Sequence, residues 1–222
     1  MATASRKRLE FENLAELMDR LGDVPLDRIR TRPPLGTATE KDVLAAEEAP
    51  RKSLCELIDG VLVEKAMGVQ ESLLGAQLGH LLAAFLEQHD LGALLGADGM
   101  VRLFPGQVRI PDVSFIAWDR LPGEEVRAEA IGSVVPNLTA EVLSPSNTRK
   151  EMERKLRDYF LAGVELVWLI DPKSQTAETY TAPDECSRVG KGGSLDGGDV
   201  LPGFRVSLKE LFARLARRRS RR

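Results

Sequence analysis

The stretch "LTAEVLSPSNTRKEMERK", residues 138–155, wraps an apolar segment around one carboxylate and then breaks on Ser-Pro-Ser-Asn-Thr into a charged segment. "LTAEVL" reads as a strand, mostly apolar and so expected near the centre of a sheet. Thr148 with Glu151 forms a capping-box pair, which opens a helix expected to end near Gly163. Inside the strand, an ionised Glu141 between Ala140 and Val142 is costly to bury unless something pairs with it. Its partner has to come from elsewhere in the chain.

Working outward, "SLCELIDGVLVEKA" predicts two strands joined by an Asp59-Gly60 turn. A long helix is expected from about Gln70 to His89, because Leu74, Leu78, Leu81, Leu82 and Phe85 recur at helical spacing. "ALLGADGMVRLFPGQVRIPDVSFIAW" predicts two or three strands separated by Gly and Pro. "VELVWLID" and "TAETYT" read as a hairpin turned by Pro172-Lys173, "GGSLDGGDVLPGF" as loop-rich, and "SLKELFARLA" as a closing helix. Hairpins with two helices on one sheet give an α+β or mixed α/β fold.

Residues 1–38 are expected to be a helical extension, starting near Leu9, followed by the linker "RTRPPLG". The main domain is expected over 39–213, with Thr39 and Asp42 opening a short helix, and an Arg-rich tail over 214–222. "SRKR" near the start and "RLARRRSRR" at the end are candidates for phosphate contact. The 222 residues carry 31 basic and 34 acidic side chains. So even a balance excludes a strongly basic nucleic-acid binder and leaves any phosphate-binding surface local. Cys55 and Cys186 lack metal-ligand spacing and read as free thiols of a reducing compartment. The first twenty residues lack the apolar core of a signal peptide, and "SLLGAQLGHLLAAFL" is too short to span a bilayer. A soluble cytoplasmic protein is expected. His80 and His89 have no His/Cys cluster around them, so core or cap roles are expected rather than zinc binding. Trp118 and Trp168 are expected in the core.

Ionisable groups interrupt apolar patterns at Glu56 in "SLCELIDG", Asp112 in "IPDVSFIAW" and Glu141. A fourth group, Lys155, lies about 60° around its helix from Met152 and borders the face expected to pack on the sheet, with Arg154 and Arg157 towards water. Taken singly each has an ordinary reading: Asp112 as a turn residue, Glu56 and Glu141 on a solvated face, Lys155 as a helix-edge lysine. Taken together they describe carboxylates that repel one another unless a hard divalent cation such as Mg²⁺ joins them. Such an ion makes a bound water a better nucleophile and stabilises charge on phosphoryl oxygens, and a nearby lysine assists. The chemistry indicated is metal-assisted phosphodiester hydrolysis, with Asp112, Glu141 and the Lys155 ammonium expected to meet in a single cleft open to solvent.

"ELIDGVLVEK", "RIPDVSFIAWDRLP", the run from Leu138 to Pro172 and "DGGDVLPGF" resemble, in order and spacing, the Uma-two family of restriction endonucleases within the PD-(D/E)xK nuclease superfamily. The resemblance covers about Thr39 to Ala213. It implies a restriction-endonuclease-like core, a mixed central sheet flanked by helices, acting on DNA with Mg²⁺ or Mn²⁺. Position by position, it implies that Asp112 and Glu141 hold the metal, that Glu56 supports it or a second ion, and that Lys155 is the catalytic lysine. The superfamily's usual lysine position holds Leu143, whereas in the Uma-two pattern the lysine comes from the following helix, as Lys155 does here. Many relatives carry a histidine near the start of the long helix, where Gln70 or Glu71 stands in this chain. Arg149, Lys150 and Arg154, at the start of the second helix, are expected to meet a phosphate backbone. Cleavage of two strands makes a homodimer plausible. The competing expectation is a nuclease-fold module without catalysis that binds nucleic acid or a protein partner.

Overall fold

A computed structural model describes residues 11–215. "SRKR", the expected helix start at Leu9 and most of the Arg-rich tail lie outside the described residues.

The chain opens with helix α1 (Leu14–Leu21), capped by the Asn13 side chain and ended by left-handed Gly22. A two-residue strand β1 (Ile29–Arg30) follows, then α2 (Glu40–Glu48), which has the expected Thr39/Asp42 capping box. Strands β2 (Cys55–Ile58) and β3 (Val61–Glu64) form the expected hairpin, in register Leu57 with Leu62. Asp59 and Gly60 both take positive φ, 51° and 71°, as a tight primed turn requires. The long helix α3 (Val69–Leu86) buries Leu74, Leu78 and Leu82 completely, while Leu81 and Phe85 are partly covered. Each fully buried leucine contributes about 1.5–3 kcal/mol of hydrophobic stabilisation.

Between α3 and the quoted stretch lie four strands where two or three were expected: β4 (Gly92–Leu95), β5 (Val101–Phe104), β6 (Gln107–Arg109) and β7 (Val113–Ala117). They are short and separated by only a few residues, so alternation alone merges them. "LTAEV" is strand β8 (Leu138–Val142), and the capped helix α4 (Arg149–Ala162) ends at left-handed Gly163. Strands β9 (Leu166–Asp171) and β10 (Thr176–Ala182) make the late hairpin. They are followed by an exposed strand β11 (Glu185–Val189) that the sequence reading lacked. The loop-rich stretch contains the small pair β12 (Ser194–Asp196) and β13 (Arg205–Ser207), and the closing helix α5 is short (Leu208–Leu211).

Two larger sheets result, one of five antiparallel strands ordered β1-β3-β2-β6-β5 and one of six ordered β11-β10-β9-β8-β7-β4. The six-stranded sheet is mixed, because β8 and β9 run parallel and α4 is the crossover between them. Alternation on these strands sorts their side chains to two layers. Leu138, Ala140 and Val142 of β8 join Trp168 and the α3 leucines on one face, while Val167 and Leu169 meet Met152, Leu156 and Tyr159 of α4 on the other. Glu141, odd-numbered on β8, therefore faces α4.

Residues 11–38 pack against the rest of the chain instead of trailing from it. Leu17, Leu21 and Val24 share a cluster with Ile58, Val61 and Val63, and β1 pairs with β3. Arg28 grips the start of α4 by donating two bonds to Glu151, 2.8 and 3.0 Å.

Candidate active site

Asp112 sits just before β7, where its backbone N–H bonds Ala140 O of β8, 3.1 Å. Its Oδ2 accepts from Val142 N, 2.7 Å, so the Asp112 carboxylate is held beside the backbone that carries Glu141. Glu56 enters from β2 in the other sheet. Lys155, about two turns into α4 beyond its cap, projects its ammonium between the two glutamates, 2.9 Å from Glu56 Oε1 and 2.9 Å from Glu141 Oε1. The four groups singled out from the sequence thus come together. The partner that makes Glu141 tolerable is a lysine, joined by the Tyr159 hydroxyl, which donates to the same Oε1.

Three cations complete the cluster, and two of them escaped the sequence reading. Arg109 donates to Glu56 Oε2, 2.8 Å, and to Asp158. Lys65, just past β3, lies 2.8 Å from Asp112 Oδ1. Three carboxylates (Glu56, Asp112, Glu141) thus face three cations (Lys65, Arg109, Lys155). The expectation that the carboxylates would repel one another until a metal joins them is corrected, because the protein supplies its own counter-charges. Arg109 was recoverable by the logic that found Glu141: in "QVRIPD" a charge stands between Val108 and Ile110. Lys65 gives no such signal, because a lysine at a strand end is ordinarily solvated.

Electrostatics separate the two glutamates. Burial works against ionising Glu56, but the Lys155 ammonium and the Arg109 guanidinium prevail and hold its pKa down to about 2. Burial raises Glu141; Lys155 lowers it, and the neighbouring Asp112 and Glu56 charges raise it again, with a net upward shift. Burial and the Glu141 charge push the Tyr159 hydroxyl well above its ordinary value, so it stays protonated and donates. Lys155 is held as an ammonium, because Glu141 and Glu56 outweigh the desolvation that opposes its charge.

The cluster was expected in a cleft open to solvent. It is instead nearly closed: Glu56 is 1% exposed, Lys155 4%, Glu141 5% and Asp112 8%. A cleft of about 1130 Å³ lies alongside, lined by Gln70, Glu71, Leu143, Met152 and Leu156 and extending to Arg149, Lys173 and Arg188. Glu71 is buried at the start of α3, its carboxylate lying over Gly68, where a Cβ would come within 2.1 Å of Oε2.

Asp112 and Glu141 suit a divalent ion best. They retain the most exposure of the four, and among the described residues no hydrogen bond reaches Glu141 Oε2. Mg²⁺ is commonly bound by one or two carboxylates with the rest of its shell water. Glu56, expected to support the metal, is the most heavily paired of the three carboxylates, whereas Asp112 has one donor on each oxygen. Glu56 Oε1 already receives Lys155 and the Ile110 N–H, and its Oε2 receives Arg109. No group of three or more His, Cys, Asp or Glu able to hold a metal ion together occurs among the described residues.

The basic residues at the start of α4 divide. The Arg149 side chain is 92% exposed, pairs with Glu153 and borders the cleft. Lys150 is turned to Asp19 and Asp23 of the N-terminal segment. Arg154, expected to point to water, is folded inward onto Asp59, 2.8 Å, and the Arg20 carbonyl. The corrected placement of Arg154 follows from the packed N-terminal segment, which covers that side of α4.

Several bystanders are also placed. His80 is exposed and not in the core, His89 stacks on Phe85, and Trp168 is buried. Trp118 is only partly buried, with its indole N–H on Asp90. Cys55 and Cys186 are both free thiols. No described helix is long and apolar enough to cross a membrane.

The fold is similar to that of a crystal structure from Anabaena variabilis ATCC 29413 described as "a putative nuclease belonging to DUF820". That structure has a TM-score of 0.65 and 21% identity, covering 74% of this chain and 92% of that one. The chain belongs to the Uma2 family, described as "Putative restriction endonuclease", which it matches over residues 41–209. No curated protein matches the chain.

Proposed function

We propose that this protein is a Mg²⁺- or Mn²⁺-dependent endonuclease that hydrolyses phosphodiester bonds in DNA. The observation that carries the reading is the placement of Asp112, just before β7 and bonded to Val142 N of β8, beside Glu141 of β8 with the Lys155 ammonium 2.9 Å from Glu141, in a chain of a restriction-endonuclease family.

In this reading Asp112 and Glu141 hold the divalent ion. When bound, that ion supplies charge against the phosphoryl oxygens and lowers the pKa of a coordinated water. Lys155 has three N–H donors; two are taken by Glu56 and Glu141, and the third is left for a phosphate oxygen or the attacking water. Glu56 and Arg109 are positioning residues. Glu56 fixes the lysine head and keeps it charged, and Arg109, forked between Glu56 and Asp158, fixes Glu56. Tyr159 orients Glu141 by donating to the same oxygen as Lys155. Nucleic acid approaches along the neighbouring cleft, where Arg149, Lys173 and Arg188 meet backbone phosphates. One acid pair per chain makes a homodimer the natural unit for cutting both strands. The free thiols fit a cytoplasmic location.

The internal charge match favours one alternative. A cluster already neutralised by Lys65, Arg109 and Lys155 is able to persist without metal, as a nuclease-fold module that binds nucleic acid or a protein and does not cut it.

Incubation with supercoiled plasmid, with Mn²⁺ and then with chelator, tests both readings. Nicking is expected with metal, absent with chelator, and lost in Asp112→Asn and Glu141→Gln proteins whose circular dichroism is unchanged. Equal cleavage by all three proteins rejects the assignment, and DNA binding with no metal affinity selects the alternative.

A further inference from the structure

Lys65 belongs to none of the roles above. Its backbone N–H bonds Leu54 O, 2.8 Å, continuing the β2–β3 pairing by one residue and aiming its side chain inward. The side chain is 3% exposed. Its ammonium has two partners, Asp112 Oδ1 at 2.8 Å and the Ala97 carbonyl at 2.9 Å. Asp112 Oδ2 is bonded in turn by Val142 N–H at 2.7 Å, so each oxygen of this carboxylate already has a donor.

A buried lysine is strongly desolvated, and its charge is screened far less than a surface charge. A divalent ion arriving at Asp112 meets that ammonium directly. It has to displace Nζ from Oδ1 or bind beside it, and both cost free energy in a low-dielectric site. Lys155 differs, because it sits on Glu141 and Glu56 on the far side of the acid pair and leaves Asp112 untouched.

We propose that Lys65 is a resident counter-cation that competes with the divalent ion for Asp112, balancing the cluster when metal is absent and setting the metal concentration at which the site fills. The proposal rests on the assignment of Asp112 and Glu141 as the metal-holding pair. Without an ion, Lys65 prevents an uncompensated buried carboxylate; with one, its ammonium leaves Oδ1 and keeps the Ala97 carbonyl as its partner.

The test is Mn²⁺ titration of the full chain by calorimetry, with thermal unfolding in chelator and in Mn²⁺. Lys65→Met removes the charge while keeping the stem's bulk. Lys65→Gln removes the charge but keeps a donor, and it carries the test should the first variant not fold. Both are expected to bind Mn²⁺ at least about tenfold more tightly than wild type, because a like charge has left the site. Both should also melt lower in chelator and gain more from Mn²⁺ than wild type does. Lys65→Arg, which keeps the charge, should bind no more tightly than wild type. Unchanged or weaker Mn²⁺ binding in the charge-removed variants, with wild type binding normally, overturns the competition and leaves the nuclease reading intact. An absence of Mn²⁺ binding in all the proteins overturns both.

Discussion

Glu56 and Glu141 come from different sheets, and each places one carboxylate oxygen 2.9 Å from the same nitrogen of Lys155. The ammonium is therefore a structural joint as well as a proposed catalytic group. It holds β2 of the five-stranded sheet and β8 of the six-stranded sheet to α4 at one buried point. The network continues through Arg109 to Asp158 on α4 itself, which closes the loop from helix to strands and back.

Removing the joint should cost stability as well as activity. Lys155→Met leaves two buried carboxylates facing each other and is expected to destabilise the metal-free protein by about 3–5 kcal/mol. Adding Glu56→Gln removes one of the two charges that lost the ammonium, the other partner of Glu56 being Arg109, and should recover part of that loss, with cleavage still absent. Urea unfolding of the two single variants and the double variant in chelator measures the coupling. Strictly additive losses would show that the shared ammonium is not what links the sheets.

Acid should act on the same joint. The folded pKa of Glu56 lies below its ordinary 4.5, at about 2, so its contribution is present in full above about pH 4.5 and is lost as pH falls towards 2. The shift corresponds to about 3 kcal/mol. Glu141 has the opposite sign: its proton affinity is raised on folding, so protonation favours the native state and its own contribution falls as pH rises through its folded pKa. The Glu56 share is read as the stability difference between wild type and Glu56→Gln, which should shrink between pH 4.5 and 2. A difference independent of pH across that window would mean that Glu56 is not held ionised by its cations.

The N-terminal segment should behave as part of the domain. Arg28 is buried and forks onto Glu151, the residue that also closes the α4 capping box. Arg28→Ala strands a carboxylate that is 2% exposed and should cost about 3 kcal/mol or more. Chemical denaturation should give one transition with an earlier midpoint. Hydrogen exchange should rise at Leu17, Leu21 and the first turn of α4 together. Faster exchange in α1 alone, with α4 unaffected, would mean that the two elements are not coupled through this pair.

Local chemistry determined much of this protein. The Asp59-Gly60 turn, the Thr148–Glu151 cap, the Gly163 stop and the Leu74/Leu78/Leu82 stripe depend on neighbours within a few residues, and each is where the residues indicated. The same reasoning marked Glu56, Asp112, Glu141 and Lys155, because a charge inside an apolar alternation is visible without knowing what it faces. What it faces is a matter of long-range pairing. That Lys65 would turn in to Asp112, that Arg109 would bridge Glu56 and Asp158, and that Arg154 would fold onto Asp59 were decided by where two sheets and an N-terminal segment meet. Those contacts join residues up to about a hundred positions apart, and burial makes them strong, whereas in the unfolded chain the same charges are solvated and indifferent to one another. Periodicity could show that Glu141 needed a cation; only the packed layers decided that the protein would furnish it.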